Sequence, residues 1–312
     1  MNKQNVILGV VFTGFSSICS ADFSLGKFAE HVITGAITRT ATRATEHAIE
    51  KELGTYKTKT TPNSEQAISH ENNASPTLCS ANYLNGKAPH IFNEKFNIKT
   101  QSICYPAFAL MHSGITRTPL WSANHLTADR IASSCQMKRQ DAFHPDPNLT
   151  TDVRSELSDY VRSGYDRGHL VPSFDAPTPS DQADTFTLAN MIPQLHANNA
   201  GIWEQLESGA RNLAVAGHDV YVVSGPLFEG ATIKQLQGRV MVPTSVFKAI
   251  YDTTSHKSAV YITPNTAEQT FKLVSINDFK ERIGFDPFPS GDESVKNIAS
   301  DIIKPAKKTN CK

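Results

Sequence analysis

Asp166-Arg167-Gly168-His169 opens the stretch on which the rest of the chain turns. The stretch runs through Asn190-Met191-Ile192-Pro193-Gln194 and Asn198-Asn199-Ala200-Gly201-Ile202-Trp203-Glu204-Gln205-Leu206-Glu207, and closes at Arg211. Its second half reads as a helix. No proline falls in 199–211, and Ile202, Leu206, Ala210 and Leu213 recur at helical spacing. At about 100° per residue, Asn199, Glu207 and Arg211 stand at roughly 0°, 80° and 120° around the axis, so all three share one side. Asn199, near the start, suits a helix cap. The first half reads as the end of a strand or a loop. Gly168 lets the backbone turn sharply before His169, and Pro172, Pro177 and Pro179 predict a loop over 171–180. Strand, loop and helix then converge on one pocket.

That pocket holds an imidazole, amide oxygens, a carboxylate and guanidinium groups. A neutral imidazole with an ordinary pKa near 6.5 can take a proton from water at neutral pH. An amide oxygen is a hard donor of the kind magnesium accepts, and guanidinium groups pair with phosphate oxygens. Together they suit metal-assisted attack on a phosphodiester. Taken alone, each has a plainer reading: a hydrogen-bonded histidine, a capping asparagine, a surface glutamate. Trp203 reads as core rather than as a platform for stacked bases.

The ordered set Asp-Arg-Gly-His-Leu, an Asn-rich segment, then Asn-x-Gly-x-Trp-x-x-x-Glu resembles the non-specific DNA/RNA endonuclease family. The resemblance continues in Tyr221-Val222-Val223-Ser224-Gly225-Pro226 and Val242-Pro243-Thr244-Ser245-Val246-Phe247-Lys248, and covers roughly 78–290. It implies an α+β domain of the ββα-metal nuclease fold, a central antiparallel sheet flanked by helices. It also implies roles. His169 is the general base, and Asn199 the one protein ligand of Mg²⁺, with Mn²⁺ as a substitute. Glu207 holds metal-bound waters. Arg211 and Arg139 face phosphate, and Asn190 orders the site. Read from its own place in the motif, Arg167 either binds phosphate or pairs with Asp166 to brace the turn. DNA and RNA are the implied substrates. Two positions depart from the family pattern: Phe174 stands where a small residue is usual, and Val171-Pro172 where Ala-Pro is common. The alternative reading is an exported nucleic-acid-binding or envelope protein without activity.

The chain has 312 residues, 39% of them hydrophobic, enough for one large domain with extensions. Its formal net charge of zero means that any nucleic-acid surface must be a local concentration of cations. Residues 1–21 read as a signal peptide: Lys3, an uncharged apolar run over 6–15, and small residues before Asp22. This predicts a secreted or periplasmic protein with no stable membrane span after cleavage. Four cysteines remain, Cys79, Cys104, Cys135 and Cys311, and three pairings are open. Cys79–Cys104 with Cys135–Cys311 is favoured. A zinc site is the rival reading, weakened because no Cys-x-x-Cys occurs.

Residues 22–54 carry an amphipathic helical extension whose helix over 24–53 reads first as a docking helix or a helical-hairpin partner, and alternatively as a membrane-surface helix or a contact for a partner or a dimer. Residues 55–77 form a linker of Thr, Asn, Ser, Lys and Glu with two prolines, and the domain occupies 78–290. Strands are predicted at 103–111, 119–126, 220–224, 239–251 and 258–263, with a long loop over 136–160. Ser275-Ile276-Asn277-Asp278 opens a helix to about Ile283. Residues 291–312 read as a polar, lysine-rich tail, loosely held except near Cys311.

Overall fold

In the computed structural model, residues 79–311 are described. The expected signal peptide, the 24–53 helix and the linker lie outside them. A seven-stranded sheet, antiparallel throughout, forms the centre. Its strands are β1 Thr100–Cys104, β2 Ala109–Ser113, β3 Thr118–Leu126, β6 Val220–Leu227, β7 Ser245–Asp252, β8 Lys257–Pro264 and β9 Lys272–Val274, in the order β9-β8-β7-β6-β3-β2-β1. A separate ribbon pairs β4 Asp166–His169 with β5 Met191–Gln194.

Neighbouring residues of one strand point to opposite faces, and here both faces are buried. Trp121, Val223, Phe247, Ala249, Val260 and Ile262 pack one face against Phe279 of helix α4 Ile276–Ile283 and against Phe285 and Phe288. Leu126, Val222, Ile250, Ala259 and Tyr261 pack the other against helices α1 Ala128–Cys135 and α3 Glu204–Val215, through Ile131, Leu206, Ala210 and Ala214. Two buried faces explain why these strands read as unbroken apolar runs rather than as alternation.

The structure redraws several boundaries. The single strand expected at 103–111 is a hairpin. Pro106, which lacks an N–H and has a fixed φ, falls in a turn closed by Tyr105 N–H donating to the Phe108 carbonyl at 2.8 Å. Pro243 likewise divides 239–251 into Val240–Met241 and β7. The loop expected over 171–180 ends at Thr178, because Pro179 begins helix α2 Pro179–Thr185. Proline is tolerated there: the first N–H of a helix has no intrahelical partner. Within 136–160 a short helix, Leu157–Tyr160, is closed by a capping box of Glu156 and Asp159. The Ser275 cap forms as expected, its side chain accepting from Asp278 N. The favoured disulfides are both present, Cys79–Cys104 and Cys135–Cys311, with Cα–Cα distances of 5.6 and 5.7 Å.

Residues 291–311, expected as a loose tail, lie against the domain. Tyr261 Oη accepts from the Ile302 and Ile303 N–H groups, both at 3.1 Å, and Ile303 is buried. Val295, Ile302 and Ile303, the buried Lys296–Asp286 pair and the Cys135–Cys311 bond hold a segment whose composition is polar.

His112, in β2, ties stability to pH. Its Nε2–H donates to the Val153 carbonyl at 3.0 Å, Nδ1 has no partner, and burial pushes its pKa down to about 4. As pH falls through 6.5 the unfolded chain takes up a proton that the folded chain refuses until about pH 4, so stability is lost across that window. Between pH 7 and pH 5 the loss is on the order of 2 kcal/mol from this residue. Urea midpoints at the two pH values should show it, and His112→Gln should lose less. Equal pH dependence in the two proteins would contradict the assignment.

Candidate active site

The ribbon sets His169 in place. A Cβ on Gly168 would lie 2.1 Å from Gln194 Oε1 and 2.6 Å from its Cβ, so the close pairing of β4 with β5 needs glycine. Trp203 Nε1 donates to the His169 carbonyl at 3.2 Å, which makes Trp203 core, as expected, and also a clamp. The imidazole packs edge-on against Phe186 at 5.0 Å and tilted against Phe143 at 5.6 Å. Burial first, then the nearby Arg139 and Arg167 guanidinium groups, push its pKa down to about 3. The ring is therefore neutral, the form that can accept a proton.

Asn199 reaches the site by another path than a regular helix. The chain starts a turn at His196–Asn198 with Leu195 as its N-cap, widens over Asn199–Trp203, and continues as α3. Gly201, at φ −112° and ψ −117°, interrupts the helical run. Gln269 spans the break: its Oε1 accepts from Ile202 N at 2.7 Å and its Nε2 donates to the Ala197 carbonyl at 2.7 Å. Asn199 is thus not a cap. Its Nδ2 donates to Asp166 Oδ2 at 2.9 Å, and the same oxygen meets His196 Nδ1 at 2.8 Å. A carboxylate only accepts, so the amide nitrogen must face Asp166 and the amide oxygen is left for the cavity.

The cavity, of about 460 Å³, brings together six of the seven expected residues: Arg139, Arg167, His169, Asn199, Glu207 and Arg211. Glu207 and Arg211 line the same cavity as Asn199, but the break at Gly201 means that regular helical spacing is not what brings Asn199 beside them. Burial raises the Glu207 carboxyl, against the pull of Lys248 and Arg211. Arg211 is 4% exposed; its guanidinium donates to Asp175 Oδ1 at 3.0 Å, Ser208 Oγ at 3.0 Å and Thr309 Oγ1 at 2.7 Å. Phe174, the departure from the family pattern, lies 5.2 Å beneath that guanidinium. Arg167 stacks over Phe143 at 4.1 Å rather than pairing with Asp166, and Arg139 is exposed beside Asp141 at 2.7 Å.

Asn190 is the residue not brought in. Fully buried, it accepts from Val171 N at 3.1 Å and donates to the carbonyls of Val171 and Thr185 at 2.9 and 3.0 Å. It fastens the backbone just after His169 and does not line the cavity, so it can act on the site only by ordering it.

Four residues escaped the sequence reading: Asp166 as the orienter of Asn199, Asp175 as the partner of Arg211, Lys248 beneath the site, and Gln269. Asp166 and Lys248 carried a signal, the first opening the Asp-Arg-Gly-His motif and the second closing the 242–248 stretch; Asp175 and Gln269 carried none. Lys248 is buried, donates to Ser224 Oγ at 2.9 Å, and stands 4.4 Å over the Trp203 ring.

The donor set fits a hydrated hard cation. Asn199 offers a fixed amide oxygen and Glu207 a carboxylate in the same cavity. Among the described residues no three His, Cys, Asp or Glu side chains form a metal-binding group. An ion there would draw its remaining ligands from water and substrate.

A profile of DNA/RNA non-specific endonucleases matches residues 87–293. The chain is 35% identical over 212 residues to mitochondrial nuclease EXOG of Danio rerio, covering 61% of each chain. It is 31% identical over 253 residues to mitochondrial nuclease EXOG of Homo sapiens, covering 70% of this chain and 67% of that one. Nuclease C1 of Cunninghamella echinulata var. echinulata is 34% identical over 192 residues, 57% of this chain and 75% of its own. The match thus spans about three fifths of the Danio rerio relative's length. A crystal structure of the EndoG/EndoGI complex aligns with a TM-score of 0.52 at 26% identity, covering 59% of this chain and 84% of that one.

Proposed function

The chain belongs to the DNA/RNA non-specific endonuclease family, and on that premise we propose that it is an exported Mg²⁺-dependent endonuclease hydrolysing phosphodiester bonds of both DNA and RNA. The observation that carries the reading is that a neutral imidazole and an outward-facing amide oxygen open into one cavity ringed by guanidinium groups.

His169 accepts a proton from the water that attacks phosphorus. Asp166 keeps the Asn199 oxygen turned toward the cavity, where it would hold the ion. A bound Mg²⁺ supplies Lewis-acid stabilisation of the charge that develops on the phosphate and leaving oxygens. Glu207 is placed to hold the waters around that ion. Arg139 and Arg167 offer N–H donors to phosphate oxygens at the mouth. Arg211, held by Asp175 and Phe174, adds a fixed positive charge deeper in. Water bonds to phosphorus as the P–O3′ bond breaks, and the departing 3′ oxygen takes a proton from solvent, so the products carry a 5′ phosphate and a 3′ hydroxyl; a ribose 2′-OH has no part, and both polymers are substrates. Contacts confined to the backbone carry little base information, so selectivity is low.

Export is supported by the apolar run over 6–15 and by two disulfides, which persist in oxidising compartments. The test of function is plasmid nicking and RNA degradation by purified protein, with Mg²⁺ and with a chelator. Both polymers should be cut only when the ion is present. Cleavage of one polymer alone, or cleavage that survives chelation, would refute the reading. Mass spectrometry of the exported protein should show Asp22 as its first residue.

A further inference from the structure

We propose that residues 304–311 form a cationic strap that binds a polynucleotide phosphate next to the scissile one, through Lys307 and Lys308. The inference rests on the nuclease reading of the cavity and extends its substrate site. It concerns a part of the chain beyond residue 293, where the family match ends.

The strap is built into the site at several points. Gly209 of α3 lets it pass, since a Cβ there would lie 2.6 Å from the Lys304 carbonyl oxygen. Ala306 N donates to the Gln205 carbonyl at 2.9 Å. Asn212 grips it from both sides: its Nδ2 donates to the Lys308 carbonyl at 3.2 Å, and its Oδ1 accepts from Asn310 N at 2.7 Å. Thr309 Oγ1 accepts from Arg211 Nε at 2.7 Å, tying the strap to a residue already in the cavity. The Cys135–Cys311 bond then fixes it to the end of α1. Between these anchors the side chains of Lys307 and Lys308 are exposed and line the same cavity as His169 and Asn199.

A segment tied down this firmly spends little ordering entropy when a ligand arrives. Two ammonium groups on the rim, added to Arg139 and Arg167, suit a ligand with several successive negative charges. The lysines are therefore contacts to flanking phosphates, and the disulfide is what holds them in register with the reacting one.

The test uses the full chain carrying His169→Ala and a short fluorescein-labelled DNA duplex, with affinity followed across salt concentration. Each phosphate contact contributes about 0.9 to the slope of log K against log salt. Adding Lys307→Ala with Lys308→Ala should lower the slope by about 2 and weaken binding about tenfold near 0.1 M salt. Lys307→Arg with Lys308→Arg should restore both, and Cys311→Ser should reproduce part of the loss while leaving Cys79–Cys104 intact. In the otherwise unaltered chain the lysine pair should act on KM more than on kcat. Unchanged slope and affinity, or tighter binding without the lysines, would overturn the proposal. If the unaltered chain fails to cut nucleic acid yet its binding depends on these lysines, the catalytic reading falls and the strap stands.

Discussion

Exchange of His169 for alanine is expected to slow phosphodiester cleavage by about 10³-fold, within the 10² to 10⁴ range of general acid–base catalysis. Among the described residues the ring is the one imidazole lining the cavity, and burial together with Arg139 and Arg167 keeps it unprotonated in the free protein. An approaching phosphate brings negative charge to the same place and raises the ring's affinity for the proton it must accept. The ring also packs on Phe143 and Phe186, so the variant loses some stability as well. Single-turnover rates measured well below the variant's melting temperature separate the two effects. If those rates match the unaltered protein, the proton goes elsewhere and the assigned base is wrong.

Asp175→Ala should be the most damaging single change to stability, by about 3–5 kcal/mol. The carboxylate is 4% exposed and divides its oxygens between Arg211 Nη1 at 3.0 Å and Asn124 Nδ2 at 2.9 Å. Its removal strands a buried guanidinium and an amide. At about 2–4 °C per kcal/mol for a domain of this size, the melting temperature falls on the order of 10 °C. Replacing Arg211 by Met in the same protein should recover part of the loss, because the stranded charge is then gone. A fall of less than about 1 kcal/mol would mean that Glu207 rather than Asp175 balances Arg211.

The parts of the site legible in the sequence are those whose cause is local. Gly168 before His169 marks a tight approach, and the Ile202, Leu206, Ala210 stripe marks the buried side of a helix. Glu207 and Arg211 follow from that spacing. The break at Gly201 was not legible, because Gln269, far along the chain, holds it open. Asp175 gave no sign of its role for the same reason: its partners arrive from Asn124 and Arg211. Pro106 and Pro179 were visible, but the first is a turn and the second a helix start. Position relative to neighbouring elements, not the residue, decides between those uses. A formal charge of zero conceals a local excess of cations, since counting residues says nothing of where they gather.

Lys248 has a consequence for how the sheet assembles. On β7 it alternates with Phe247 and Ala249, and it pairs across to Ser224 and Tyr261. A slip of one residue in that pairing would turn its ammonium into the aromatic layer of Trp121, Phe279 and Phe285. Misaligned hairpins are therefore rejected by an unpaired charge in oil-like surroundings as well as by poorer packing. The same lysine that sits beneath the reacting groups thereby proofreads the alignment of the strands that carry them.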